Sequence, residues 1–517
     1  MLTRLDILTS TDVQLQDSSR NGFIHKKGCE IMQRPEFTRT QLVNLLEDAK
    51  GRTLGEVDVN NVFKITETST KVTGIAGSVV EQSLLGYGAN SSPDPDIIVD
   101  GVDFEVKTTG LRKPRNKSSK VKLEAKEPLT ITAVREEQIE GESFHDSHFW
   151  KKAQNLLLVY YEYASPKTVI ASKYRDFPMV GYHFHTFSEE ERLTLQHDWE
   201  LIRDYIKTLQ QEQIGKEADY STLSSALRKQ LTYLGTSPKW PKKPRFRIKR
   251  AFVSNMYNKS VGKTYASMPE DISTMEELEV ELKRISEEHV GRTARELCET
   301  FNIKHGKKAP KSMAELIIVR MLGAKGKANN IDFLSKLNLL MKSIRLTEKG
   351  AHVEDTKFFP LDLTETLDEA EYEKSLIYYE LRDSQLLFMM FKTVKGQNRL
   401  DDVFEGFKHF VMPEELIEED AQNTWTEIRS IMSENRLASV PVLNKDGTQR
   451  LSPKTRVPME ATNLPKSEEY TFFLKGTSSD ALNKKVQING VRIYRQNIWM
   501  KGKVVASLLN EIPFIGQ

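Results

Sequence analysis

Pro93-Asp94-Pro95-Asp96-Ile97-Ile98-Val99-Asp100-Gly101-Val102-Asp103-Phe104-Glu105-Val106-Lys107 is the stretch on which the rest of the chain turns. Asp100-Gly101 suits a two-residue type I′ turn, in which both central residues need positive φ. The flanking runs, Ile97 to Val99 and Val102 to Val106, are rich in β-branched and aromatic residues and predict the two strands of a hairpin. With Asp100-Gly101 as the loop, Val99 pairs with Val102, Asp96 comes opposite Glu105, and Asp94 opposite Lys107. Period-two alternation then puts Ile97, Val99, Val102, Phe104 and Val106 on one apolar face. Asp94, Asp96, Asp103, Glu105 and Lys107 share the other. Directly opposed residues have Cβ atoms about 4.5–5.5 Å apart, close enough for two carboxylates to grip one cation.

Facing carboxylates repel unless a cation or a proton lies between them. Hard oxygen ligands suit Mg2+, which keeps several waters and usually takes one or two protein carboxylates. A lysine two residues along the strand can hold or deprotonate a metal-activated water while the metal stabilises charge on a phosphoryl oxygen. The pattern implies hydrolysis of a phosphodiester. The bland alternative is a solvated hairpin face on which Glu-x-Lys has no chemistry.

At 517 residues the chain exceeds a single core, so two or three domains are expected. With 38% hydrophobic and 29% charged residues it has the composition of an ordinary soluble protein. No run of eighteen apolar residues occurs, so no membrane span is expected. Met1-Leu2-Thr3-Arg4-Leu5-Asp6 lacks the basic-then-apolar pattern of a secretory signal. Cys29 and Cys298 stand in neither a zinc nor a redox spacing, which fits a reducing cytoplasm. The net charge of +2 decides nothing, but its distribution does. Lys107, Arg112, Lys113, Arg115, Lys117, Lys120 and Lys122 form one basic block. Lys239, Lys242, Lys243, Arg245, Arg247, Lys249 and Arg250 form another, interleaved with Trp240 and Phe246. Such blocks can supply salt-sensitive contacts to the phosphates of duplex DNA.

Along the chain, residues 1–40 read as an N-terminal extension, although Thr38 to Leu46 already has helical spacing. Gly74 to Leu85 predicts a helix carrying Glu81, broken at Gly86 before the hairpin. Leu129 to Val134 and Asn155 to Tyr163 predict strands; Glu189 to Gln210 and Tyr220 to Leu231 predict helices. From about 255 to 288 the composition turns charged, as in a linker. Beyond it the chain repeats itself in order. Gly51-Arg52-Thr53 returns as Gly291-Arg292-Thr293, Leu84-Leu85-Gly86 as Met321-Leu322-Gly323, and Asn155-Leu156-Leu157-Leu158 as Gln385-Leu386-Leu387-Phe388. Asp198-Trp199 returns as Thr424-Trp425, and Tyr233-Leu234-Gly235-Thr236-Ser237 as Phe473-Leu474-Lys475-Gly476-Thr477-Ser478. Offsets of 226 to 240 residues are too long for a solenoid and predict two tandem copies of one domain. The copies differ where chemistry is expected. Lys342 to Thr347, expected to match Val102 to Lys107, has no Glu-x-Lys; Ile318 replaces Glu81, and Asp332 stands alone. The second copy should bind without cutting. His148, His183 and His185 read as structural rather than metal-binding, and Trp199 and Trp425 as packing anchors.

These residues resemble the MutH/Sau-3AI family of endonucleases. The resemblance covers the chain from about residue 45 onward. It implies an α/β fold with a restriction-endonuclease-like (PD-(D/E)xK) core, a central mixed sheet flanked by helices, duplicated as two MutH-like domains. The implied boundaries are 1–40 extension, 41–258 catalytic domain, 259–288 linker and 289–517 degenerate DNA-binding or effector domain. The family's aspartate and Glu-x-Lys match Asp96, Glu105 and Lys107. A glutamate on the preceding helix matches Glu81, and a further active-site lysine matches Lys152. The DNA-reading loop matches Tyr233 to Lys239, and the Phe-x-x-Lys after it matches Phe246 to Lys249. Two departures are evident. The interval from Asp96 to Glu105 is two residues longer than usual, which makes Asp94 a second candidate ligand. Where MutH has Arg-Pro-Lys, this chain has Ser237-Pro238-Lys239, and a bidentate arginine is the commonest specific contact to guanine. The activity implied by the resemblance is that of a type II restriction endonuclease of a bacterial cytoplasm. It would be Mg2+-dependent and act on duplex DNA at a site such as GATC. It would self-associate on DNA and have a DNA methyltransferase as genetic partner. Metal ligands would be Asp96, Glu105 and Glu81. DNA contacts would come from Arg112, Lys113, Arg115, Ser237, Pro238, Lys239, Lys242, Lys243, Arg245, Arg247, Lys249 and Arg250. A MutH-like nicking enzyme and a non-catalytic DNA-binding protein are the rivals.

Overall fold

The hairpin at 97–112 forms in the expected register. In the computed structural model, Val99 pairs with Val102, Ile98 with Asp103 and Ile97 with Phe104. Asp100 (φ 48) and Gly101 (φ 79) are both left-handed, as a type I′ turn demands. The structure describes residues 34–517 apart from 70–71, 89–91, 115–122, 166–167, 213–219, 238–242, 270–271, 311, 353, 395, 454, 478–483 and 485. The expected extension therefore lies outside the described residues up to 33. The N-terminal half carries β1 (Glu36–Phe37), β2 (Ile97–Val99), β3 (Val102–Arg112), β4 (Glu124–Ala125), β5 (Leu129–Ala133), β6 (Asn155–Glu162), β7 (Met179–Thr186), β8 (Leu234–Thr236) and β9 (Arg245–Ile248). Strands β1, β2, β3, β6 and β7 lie side by side in that order, with β4 against the far end of β3. The β1–β2 and β3–β6 pairs are parallel and the others antiparallel, so the sheet is mixed. Strands β5, β9 and β8 form a separate antiparallel sheet.

Strand β6 explains the layering. Its Leu-Leu-Leu-Val-Tyr-Tyr run is buried throughout, as a central strand covered on both faces must be. Leu157, Val159 and Tyr161 join Leu42, Leu46, Val79 and Val106 in one core. Leu156, Leu158 and Tyr160 face the other way, toward Trp199 and Ile202 of the helix Glu189–Glu212. The helix Arg39–Ala49 starts on a capping box between Thr38 and Gln41. The helix Ile75–Val79 runs into a π-turn over Val80–Leu84, a geometry concentrated at functional sites. Tyr220 to Leu231, expected as a helix, yields only the turn Leu223–Ala226.

The second half adds β10 (Leu339–Leu346), β11 (Thr356–Pro360), β12 (Gln385–Lys392), β13 (Val403–Val411), β14 (Ser439–Pro441), β15 (Glu460–Thr462), β16 (Phe472–Thr477), β17 (Val486–Ile488), β18 (Val491–Ile493) and β19 (Arg495–Met500). Strand β10 is parallel to β12, and β12 antiparallel to β13, the same order and sense as β3, β6 and β7. Both central pairs carry a bulge, one at Tyr160/Tyr161 and one at Met390/Phe391. The residues opposite, Gly181 (φ 154) and Gly406 (φ 126), both have positive φ. The Gly51-Arg52-Thr53 loop bonds Met179 and leads into a Thr53–Glu56 capping box. Gly291-Arg292-Thr293 bonds Phe404 in the same way and leads into a Thr293–Glu296 box.

The register corrects one expectation. Leu340 pairs with Leu386 and Lys342 with Phe388, just as Glu105 pairs with Leu156 and Lys107 with Leu158. With β6 and β12 aligned, Glu105-Val106-Lys107 corresponds to Leu340-Met341-Lys342, five residues earlier than the Lys342 to Thr347 match. Residues 35–517 form a single compact unit, and one apolar core runs from Leu156 and Trp199 into Leu387, Met389 and Phe407. The stretch 259–288, read from its charge as a linker, contributes to it. The helix Met275–His289 buries Met275, Leu278, Leu282 and Ile285, whose helical spacing lies beneath its glutamates. Among the described residues no helix is long and apolar enough to cross a membrane.

Candidate active site

The hairpin brings the expected acids together. The Val106 N–H donates to Asp96 Oδ2 at 2.9 Å, which fixes that carboxylate beside the Glu105–Lys107 segment of β3. Asp94 stays exposed, its N–H donating to Ser92 Oγ. Glu105 is only 2% exposed and is gripped at both oxygens. Lys107 Nζ donates to Oε1 at 2.6 Å and Lys152 Nζ to Oε2 at 2.9 Å. Lys152 is itself buried, on the short helix His148–Ala153 that Ser147 caps through the Trp150 N–H. Its neighbour Lys151 is exposed.

Glu81 approaches from the π-turn. Burial first, then the charges of Asp96 and Glu105, raise its carboxyl to about 7, against the pull of Lys107 and Lys152. Burial also raises Glu105, with Asp96 adding to it and Lys107 and Lys152 opposing. Carboxylates forced together in a poorly hydrated place favour a proton or a cation. A residue without an evident motif in the sequence completes the group. The Tyr87 hydroxyl is buried with no partner among the described residues, and burial, Asp96, Glu81 and Glu105 all push its titration upward. Its sequence signal is slight: an aromatic between two glycines, Gly86 and Gly88, ahead of the hairpin.

The histidines stay outside. His148 bonds Thr132 Oγ1 at 2.7 Å, and burial followed by Arg135 depresses it to about 4. Burial does the same to His185, whose ring packs edge-on against Phe187. No group of three or more His, Cys, Asp or Glu side chains converges on a ready-made metal cage among the described residues.

Comparison with known proteins bears on this geometry. Residues 85–198, which include Asp96, Glu105, Lys107 and Lys152, match the family described as the DNA mismatch repair enzyme MutH. The chain is 24% identical over 432 residues to the type II restriction enzyme Sau3AI of Staphylococcus aureus, covering 80% of this chain and 84% of that one. The resemblance to the MutH/Sau3AI family holds.

The basic residues of the chain divide by burial. Lys113 and Arg245 are exposed, and Lys243 is exposed while reaching Glu137 at 3.1 Å and Glu136 at 3.4 Å. Ser237 is tied to the Arg245 backbone by two hydrogen bonds at 3.0 Å, which closes the base of the expected reading loop. Arg115, Pro238, Lys239 and Lys242 lie outside the described residues. Three others turn inward. Arg112 sits between Glu124 (3.3 Å) and Glu380 (3.7 Å), Arg250 pairs with Glu380 at 2.9 Å, and Lys249 donates to the Leu231 carbonyl. Arg247 is half-buried. Glu380, which meets both Arg112 and Arg250, belongs to the second half of the chain, a neighbour that local sequence does not reveal. Asp198, fully buried, accepts the N–H groups of Thr232, Tyr233 and Leu234 at 2.6–2.8 Å and holds the strand that leads into the loop. Its role is structural.

Proposed function

We propose that the chain is a type II restriction endonuclease, hydrolysing phosphodiester bonds of duplex DNA at a short site of the GATC kind with Mg2+. The observation that carries this is Glu105: buried, doubly held by Lys107 and Lys152, and within the electrostatic reach of Asp96 and Glu81. The site fits a hard divalent cation. Its donors are carboxylate oxygens, two of them raised toward neutrality by crowding and burial, beside an orphaned buried hydroxyl. Asp96 and Glu105 would hold the ion, with Glu81 tuning the site or holding a second one. Mg2+, when bound, supplies Lewis-acid stabilisation of charge on the phosphoryl oxygen and lowers the pKa of a bound water. Lys107 then orients the attacking water in line with phosphorus. Lys152 holds Glu105 in place and favours its ionised form against burial. No covalent intermediate is needed. Lys113, Lys243 and Arg245 are the described cations placed to meet backbone phosphates.

The second half reads as a copy that has lost its acids. Leu340 stands where Glu105 does, and Ile318 where Glu81 does. It would bind a second copy of the site and favour self-association, because one active centre cuts one strand. A DNA methyltransferase is the expected genetic partner. The similarity that spans 432 residues favours this over a single-domain nicking enzyme, although the MutH match to residues 85–198 keeps nicking as the second reading. Digestion of a sequenced plasmid with the purified protein and Mg2+, followed by mapping of the ends, tests both. Double-strand breaks at one repeated short sequence are expected; nicks alone select the second reading, and no cleavage rejects both.

A further inference from the structure

A cavity of about 80 Å³ lies between the two halves, beneath the strand that leads into the expected reading loop. From the first half, Arg228, Thr236 at the end of β8, and Arg247, Lys249 and Arg250 line it. From the second, Arg382 and Asp383 close it, at the end of the helix Leu376–Asp383. Five cations thus meet one acid. Nearby carboxylates, Glu418 beside Arg382 among them, offset that charge but leave donor atoms unfilled. Glu380 takes Arg250, while Glu414 takes Arg382 and stands 3.7 Å from Arg228. Asp198 attracts Lys249, but its oxygens already accept three backbone N–H groups. Arg247 feels Asp383 and Glu127 through their charge, yet its Nε has no hydrogen-bond partner among the described residues.

The same wall collects polar atoms that are buried without a partner among the described residues: Arg228 Nε, Arg247 Nε, Thr236 Oγ1 and Asp383 Oδ2. Buried donors are nearly always satisfied, so several orphans around one cavity point to something that fills it. Water would serve neutral groups. Guanidinium groups with unfilled N–H atoms match a tetrahedral oxyanion better, because they offer donors that carry charge. Desolvation, with Arg382 adding to it, already pulls the Arg228 guanidinium down to about 10, and desolvation pulls the Lys249 amine down to about 8. Burial pushes Asp383 the other way, toward the protonated form that can donate.

We propose that this cavity is a binding site for a phosphate-class oxyanion, which ties the second half to the base of the reading loop. The site is separate from the catalytic group and does not depend on the nuclease reading. The oxyanion is either a free ion or a phosphate of bound DNA. Thermal denaturation of the DNA-free full chain in inorganic phosphate, against chloride at equal ionic strength, tests the first source. ³¹P line broadening of the phosphate provides a direct second readout. Tm should climb with the logarithm of phosphate concentration. Arg247→Gln should abolish most of that climb. Thr236→Val, which removes only a hydroxyl and keeps the fold if the arginine variant does not, should reduce it. If phosphate has no effect but a short duplex raises Tm in the parent and less in Thr236→Val, the ion is a backbone phosphate. A phosphate or duplex effect equal in parent and variants, or none at all, overturns the proposal and leaves water as the filling.

Discussion

Strands β3 and β10 hold the same place in two sheets of the same order, yet they present opposite chemistry. On β3, a buried Glu105 is flanked by Lys107 and Lys152 and crowded by Asp96 and Glu81. On β10, Leu340 stands at that register with Lys342 two residues on. A lysine is common to both strands at this register, but the buried glutamate is not. Burial, with Lys357 nearby, drops the Lys342 amine to about 8. Asp332, read from sequence as an acid standing alone, is spent on Lys336 and Lys259 at 2.8 and 2.9 Å. The difference teaches that the frame does not need the site. Strand order, bulge and capping boxes rest on apolar burial and backbone bonds in both halves, whether a carboxylate or methyl groups stand at the register of Glu105.

The largest expected effect tests the first half alone. Lys107→Ala should slow DNA cleavage by about 10²–10⁴-fold, the usual contribution of a positioned acid–base group, while duplex binding in a gel-shift assay changes little. Full activity in that variant would break the comparison, since β3 would then differ from β10 in appearance only. The complementary change asks what the second half tolerates. Ile318 is fully buried, so Ile318→Glu should cost on the order of several kcal/mol in a denaturant titration. Leu340→Glu, two residues from Lys342, should cost less, and no cleavage should appear when it is placed in the Lys107→Ala background. Cutting by that double variant would mean that β10 lacks only one group.

Glu81 gives a pH signature that Ile318 cannot. Its folded pKa, raised from 4.5 to about 7, means the folded chain keeps a proton that the unfolded chain has lost. This group therefore takes stability away as pH climbs from 4.5 through 7, after which its effect is constant. A divalent cation that binds the ionised carboxylate offsets the loss. Mg2+ should therefore raise Tm more at pH 8 than at pH 6, and Glu81→Gln should flatten that difference. An equal Mg2+ effect at both pH values would remove Glu81 from the cation site.

How far sequence alone reveals these features depends on how local each signal is. The hairpin is fully legible, because Asp100-Gly101 and two alternating strands fix a register within fifteen residues. The neighbours of Glu105 need the helix bearing Lys152, forty-seven residues away, to pack where only the fold places it. The repeat is visible in paired motifs, but short matches with drifting offsets cannot set the β10 register to better than five residues. Arg112 and Arg250 read as surface charge because nothing near them in sequence announces Glu380, and Lys249 because nothing near it announces the Leu231 carbonyl. The Met275–His289 helix reads as a linker because its acids and bases crowd the exposed face and outweigh the apolar positions buried beneath them.

Tyr87 carries the smallest and most diagnostic effect. Its hydroxyl is buried without a partner among the described residues and crowded by three carboxylates, so in the metal-free protein it costs stability. Tyr87→Phe should leave the metal-free Tm unchanged or slightly higher. If the hydroxyl serves a water or phosphate oxygen in the loaded site, the same variant should slow cleavage severalfold and shrink the Mg2+-induced rise in Tm. The two readouts move in opposite directions only for a group kept for the loaded state. A tyrosine that merely fills space would give a Phe variant indistinguishable from the parent in both, and the contrast between β3 and β10 would then rest on the acids and lysines alone.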